Sequence, residues 1–316
     1  MRRRSHSRRA FLRAASAAGA GALAGCPAGL RSGSRAAVSI LAAGSLQHAL
    51  EHGLKPAVDV PVRIEARGSA TLARLIAEGR RDPDIVTVAD TALLEAPLSP
   101  PWYAAFASNA LVLAYDPGTD GGQRLADAGP DRWYRPLVDG VVRLGRTDPD
   151  RDPLGYRTLF AFDLATRFYD DAPDLREAVL RRDQVYPETA LVGQFETGSI
   201  DAAVVYRNMA VERGYAYLDL PGQLNLSDPT YADDWYSTVA YELPGGRVIE
   251  GGTVAYGSTI RTTSDAARSV FAVQTAGTFL AEAGFTLREG FPRYEGDAPR
   301  AVVDRSPAGS GSGTTV

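Results

Sequence analysis

From Val38 onward the chain alternates short apolar runs with longer segments in which apolar residues recur every three or four positions. "AVSILAAGSL" (37–46) is an apolar run too short for a buried helix and broken by Gly44. It predicts a strand, followed by a helix that Ser45 caps. "VPVRIEARGSATLARLIAEG" (60–79) repeats the arrangement, with a strand, a small-residue turn at Gly68-Ser69, and a helix. "DIVTVAD" (84–90) is a third apolar strand. After "FASNALVLAYDPG" (106–118), itself extended, a second series runs through "VVRLGRT", "IDAAVVYRN", "YAYLDL" and "WYSTVAYELP". "GGTVAYGSTI" (251–260) is extended again and leads into an amphipathic helix, "DAARSVFAVQTAGTFLAEAG" (265–284).

Strands alternating with helices predict a mostly parallel α/β architecture. Two extended segments with a complete α/β unit between them predict two lobes joined by two hinge strands. Lobe 1 is then 37–113 plus 256–303, lobe 2 is 114–255, and 304–316 is a disordered tail. In such sheets ligands sit beyond the carboxyl ends of strands, against helix N-termini. Ser45 and Ser69 both fall there. A lone serine at such a place is more often a plain cap. Two at corresponding positions after consecutive strands bring an anion cradle of hydroxyls and backbone N–H groups level with that reading.

Composition narrows the classes. Of the 316 residues one is cysteine, which excludes an internal disulfide framework and a thiolate cluster. Outside the N-terminus no stretch is long and apolar enough to span a membrane. Lys55 is the sole lysine, and the rest of the basic residues are arginine. The first 25 residues hold six arginines and no acid, so the remainder of the chain is strongly acidic, which argues against nucleic-acid partners. The leader itself reads as an address. Arg8-Arg9 forms a twin-arginine pair ahead of an Ala/Gly stretch, and Leu23-Ala24-Gly25-Cys26 resembles a lipobox. Residues 1–26 are therefore expected to be a twin-arginine lipoprotein signal with Cys26 as the lipid-bearing residue, and 27–36 a flexible tether. The mature protein would be exported and held on the outer face of the cell membrane, away from ATP and NAD.

The acidic turn "DPDRDPLGYRT" (148–158) invites a calcium-loop reading, which fails on spacing. Its sixth position is Pro153 where glycine is needed, and its twelfth is Leu159 where glutamate is needed. His48 and His52 have the spacing of a zinc pair, but Ala49 stands where a metalloprotease needs its glutamate. They are expected on a solvent-facing helix. Neither a nucleophile elbow nor a phosphate-binding loop occurs, so no catalysis and no cofactor are expected.

Eight segments in order resemble one family: "AGSL" (43–46), "GS" (68–69), "VAD" (88–90), "SNALVLAY" (108–115), "DPLGYRT" (152–158), "IDAAVVYRNMA" (200–210), "YLDLPGQLNLSDPTY" (217–231) and "VAYGSTI" (254–260). Together they resemble the extracytoplasmic molybdate/tungstate-binding proteins of ABC importers, in particular their archaeal branch. The resemblance implies the type II periplasmic-binding-protein fold, with one oxyanion between two closing lobes and delivery to a permease and its ATPase by a monomeric binding protein. It implies that Ser45, Ser69 and Tyr206 donate to the anion, although Tyr206 reads equally well as a core aromatic. In the archaeal branch two carboxylates add to the four oxo ligands of the metal. Asp152 matches the first of them, leaving Asp148 and Asp150 as solvated acids. Gln223 stands at the second, where an amide would donate to an oxo group rather than bind metal. If another acid replaces that glutamate, Glu196 is the first candidate. Phosphate or another oxyanion is the alternative ligand; a surface hydrolase or a purely structural surface protein is further off.

Overall fold

The computed structural model describes residues 36–181 and 184–305. The leader with Cys26, the tether up to residue 35 and the tail beyond 305 lie outside the described residues. The strands are β1 (Val38–Ala43), β2 (Val62–Arg67), β3 (Ile85–Val88), β4 (Trp102–Ser108), β5 (Leu111–Tyr115), β6 (Leu144–Thr147), β7 (Val185–Tyr186), β8 (Ala202–Tyr206), β9 (Ala216–Asp219), β10 (Ala240–Glu242), β11 (Val248–Glu250), β12 (Ala255–Ile260) and β13 (Arg293–Gly296). One sheet has the order β13-β4-β12-β3-β1-β2, the other β7-β6-β8-β5-β9, and β10-β11 is a separate hairpin.

The sheets are mixed, not mostly parallel. β1 pairs in parallel with β2 and β3, and β6 with β7 and β8. β12 runs antiparallel to β3 and β4, and β5 antiparallel to β8 and β9. The direction of these two strands follows from where they come from. β5 enters its sheet directly from the other lobe, and β12 returns the same way, so each runs against the strands whose carboxyl ends point at the cleft. The two crossings lie side by side, and Ser108 Oγ donates to the carbonyl of Val254 at 2.6 Å.

That geometry places the carboxyl ends of β1, β2 and β3 opposite those of β6, β7 and β8. Each sheet is buried on an apolar face, with Ile40, Leu41, Ile85 and Val86 in one and Val112, Leu113, Val204 and Val205 in the other. The helix Pro153–Phe168 is buried over most of its sixteen residues, including the polar Arg157 and Thr158. A helix buried all round has no solvent face, so its polar residues must find protein partners. Those of Arg157 are Tyr206 in its own lobe and Ala89 and Asp90 in the other.

Candidate functional site

The cleft is built from the turns that leave the facing strands. On the lobe 1 side β1 ends at Ala43 and the chain enters helical geometry at Gly44, while β2 ends at Arg67 and a helix runs from Ser69 to Ala77. The N-caps are Ala43 and Gly68, without a capping side chain, so neither serine is the cap that the pattern predicted. With the capping role gone, both hydroxyls are turned to other partners. Ser69 Oγ accepts the N–H of Ala89 at 3.0 Å, and Ser45 Oγ accepts the hydroxyl of Tyr256 at 3.0 Å. Tyr206, at the end of β8 and fully buried, accepts from Arg157 Nη1 at 2.7 Å. Among the described hydrogen bonds all three hydroxyls accept, which leaves the protons of Ser69 and Tyr206 for a further acceptor, while the Ser45 hydroxyl pulls on the carboxylate of Glu188.

On the lobe 2 side, Asp152 caps the helix that begins at Pro153, its Oδ1 accepting the N–H of Leu154 at 2.7 Å. Proline suits that first position because its missing N–H would have had no helical partner. Asp152 is 2 % exposed and its Oδ2 has no hydrogen-bond partner. Burial pushes its carboxyl up to about 7, against the pull of Leu154, Thr147 and Arg157. Thr147 Oγ1, close by at the end of β6, is also buried without a partner of hydrogen-bonding geometry.

A second acid, which the sequence reading did not single out, stands beside it. Glu188 opens the helix Glu188–Glu196, two residues after β7, and is 5 % exposed. Its Oε1 accepts the N–H of Ser45 from the opposite lobe at 3.0 Å, while Oε2 is buried without a partner. Burial raises this carboxyl well above the usual glutamate range, and the charge of Asp152 raises it further. A Cβ on Gly44 would lie 2.3 Å from Glu188 Oε2, and one on Gly68 2.7 Å from Asp152 Cβ. Each acid therefore fills the space that one glycine of the Gly-Ser turns leaves open. A cavity of about 230 Å³ between the lobes is lined by Gly68, Thr71, Asp152 and Glu188, with the exposed Arg67 and Arg151 beside them.

The surrounding bonds tie the lobes shut. Arg157 bridges Ala89 O at 2.6 Å and Asp90 Oδ2 at 3.0 Å, and the hydroxyl of Tyr156 donates to the same Asp90 oxygen at 2.6 Å. Asn208 Nδ2 donates to Ser45 O at 2.7 Å. The remaining residues singled out from sequence lie elsewhere. Gln223 Nε2 donates to the hydroxyl of Tyr231 at 3.1 Å, and no described contact of its side chain reaches either acid. Glu196 accepts from Tyr215, in an exposed position. Asp148 and Asp150 are not merely solvated. Asp148 Oδ1 accepts the N–H of Asp150 at 3.0 Å and Asp150 Oδ1 accepts the hydroxyl of Tyr241 at 2.6 Å, so the acidic run folds the turn that presents Asp152. His48 stacks on His52 with ring centroids 4.2 Å apart, and His48 also faces the buried Glu212 at 3.8 Å.

Residues 38–245 match the profile of the bacterial extracellular solute-binding proteins. The chain belongs to that family. A relative from Haloferax volcanii, to which molybdenum binding in an ABC transporter is attributed, is 53 % identical over 93 % of this chain and 96 % of its own length. The molybdate/tungstate-binding protein WtpA of Thermococcus kodakarensis is 29 % identical, over 70 % of this chain and 68 % of its own. Among solved structures, the periplasmic molybdate-binding protein of Azotobacter vinelandii superposes with a TM-score of 0.54 at 14 % identity, covering 80 % of this chain and all of that one. The fold is the type II two-lobed fold of that class of solute-binding protein. Among the described residues no helix is long and apolar enough to cross a membrane.

Proposed function

We propose that this solute-binding protein captures molybdate or tungstate outside the cell and delivers it to the permease and ATPase of an ABC importer. The observation that carries the reading is Asp152 Oδ2, buried where the lobes meet and without a partner. An ionised carboxylate facing sulfate repels it, because sulfate has no proton to share and no metal to bind. A molybdenum or tungsten centre accepts hard oxygen ligands, so the same carboxylate becomes an attractive contact. Ser45, Ser69 and Tyr206 would donate to the oxo groups, as an anion-binding site at strand ends and helix N-termini requires. The names carried by the relatives from Haloferax and Thermococcus support the same ligand. In this reading the twin-arginine leader exports the protein and a lipid on Cys26 holds it at the membrane.

A thermal-shift screen of molybdate, tungstate, sulfate and phosphate in high salt tests this. At 100 times the dissociation constant a ligand adds about 2.7 kcal/mol, so tungstate and molybdate should raise the melting temperature clearly and sulfate hardly at all. A larger shift with phosphate would assign the site to a protonated anion with Asp152 as its acceptor. No shift with any anion would remove the oxyanion reading.

A further inference from the structure

Glu188 and Asp152 are held in matching ways. Each has one carboxylate oxygen pinned by a backbone N–H, Ser45 for Glu188 and Leu154 for Asp152. Each has its other oxygen buried and unpartnered. Two acids side by side at 2 % and 5 % exposure, each with one oxygen unpartnered, are costly to keep ionised unless something positive sits between them. Among the described residues no ion pair reaches these oxygens: Arg157 is committed to Ala89, Asp90 and Tyr206, Arg67 pairs with Glu65 and Arg151 with Asp148.

A free metal ion does not fit the gap. Among the described residues no group of three or more His, Cys, Asp and Glu is placed to hold one. Zinc needs at least three protein ligands and calcium takes six or more oxygens. Two oxygens are enough only for a metal that arrives with most of its ligands already attached, as an oxometallate does. We infer that Glu188 is the second carboxylate of the binding site, and that Asp152 Oδ2 and Glu188 Oε2 together grip the metal centre of the bound oxyanion. The inference rests on the oxyanion reading and deepens it. It moves the second acid from the position of Gln223, whose amide is bonded to Tyr231, to the first turn of a different helix. It also gives Glu188 a role in selectivity, since a second acid strengthens the grip on an oxometallate and the repulsion of sulfate.

Tungsten-edge X-ray absorption on the tungstate-loaded protein counts the oxygens. Calorimetric titration of tungstate and sulfate into the same preparations measures selectivity. The wild type should show four short and two longer oxygens, and Gln223→Ala should keep all six. In Glu188→Gln one longer oxygen should disappear, tungstate should bind at least about tenfold more weakly, and sulfate no more weakly than before. Opposite behaviour of the two anions separates a ligand from a residue that merely supports the fold, which would weaken both. Six oxygens in Glu188→Gln, or four equal ones in the wild type, would overturn the inference while leaving tungstate binding intact. If Glu188→Gln does not fold, the wild-type and Gln223→Ala counts decide alone, with loss of a longer oxygen in Gln223→Ala overturning it. Wild-type protein that takes up no tungstate at all would overturn the functional reading first, and this inference with it.

Discussion

The two halves of the cleft are built from the same parts and differ in stiffness. Each joins a Gly-Ser turn at a strand end of lobe 1 to an acid at a helix start of lobe 2. On the Asp152 side the contact is largely backbone. Thr71 N–H donates to Arg151 O at 3.0 Å, and a Cβ on Gly68 would meet that same carbonyl at 2.5 Å. Asp152 is oriented by Leu154 of its own helix, so it keeps its position whether the lobes are open or closed. On the Glu188 side the contact is the end of a flexible side chain, oriented by Ser45 of the other lobe. One acid is in place before the lobes close. The other is put in place by closure, so an anion would meet Asp152 first and complete its site with Glu188.

Adding a methyl group to each glycine should expose the difference most strongly. Neither Gly44 nor Gly68 has a positive φ, so alanine fits both backbones and only the cross-lobe contact is disturbed. Gly68→Ala must push backbone against backbone. Overpacking of this kind costs about 1–3 kcal/mol, and the upper end corresponds to about a hundredfold loss of tungstate affinity. Gly44→Ala displaces only the tip of Glu188 and should cost a few-fold to about tenfold. Equal losses in a calorimetric titration of the two variants would remove the asymmetry.

The acids should also leave a mark on the ligand-free protein. Burial raises the Asp152 carboxyl to about 7 and the Glu188 carboxyl well above the usual glutamate range. A carboxyl raised in the folded state binds its proton more tightly there than when unfolded. The stabilisation is therefore complete below about pH 4 and is lost as pH rises through about 7. Between pH 5 and pH 8 unfolding free energy without ligand should fall by more than about 1.4 kcal/mol, the equivalent of one pK unit. Glu212, raised to about 7 by burial, contributes in the same sense. Asp152→Asn and Glu188→Gln must therefore each flatten the urea-denaturation profile relative to wild type, and an unchanged slope in both would contradict the buried pair.

Why one half was legible in the sequence and the other was not has a physical reason. β1 and β2 are six residues each and lead straight into helical geometry, so the apolar run, the glycine and the serine could be read in order. The motif around Asp152 carries its own capping proline. β7 has two residues, too few for any periodicity, so nothing in the pattern singled out the acid that follows it. The available signal was the Tyr186-Pro187-Glu188 run, a proline beside an acid as at Asp152-Pro153. The partners of Ser45 and Ser69 could not be read locally either, because what frees them from capping is that Ala43 and Gly68 take the cap positions. Gln223 shows the reverse limit: its segment matched by sequence, but one amide N–H goes to Tyr231, a contact that the motif does not encode. The reversed strands β5 and β12 were missed because their direction depends on which lobe each comes from, which no local window contains.

Tungsten scatters anomalously, so a crystal of the tungstate complex tests the central claim most directly. The account predicts one strong anomalous peak between the lobes, within coordination distance of Asp152 Oδ2 and Glu188 Oε2, with the Ser45, Ser69 and Tyr206 hydroxyls on its oxo groups. A peak bound by the hydroxyls alone with both carboxylates turned away, or one outside the cleft, would contradict it.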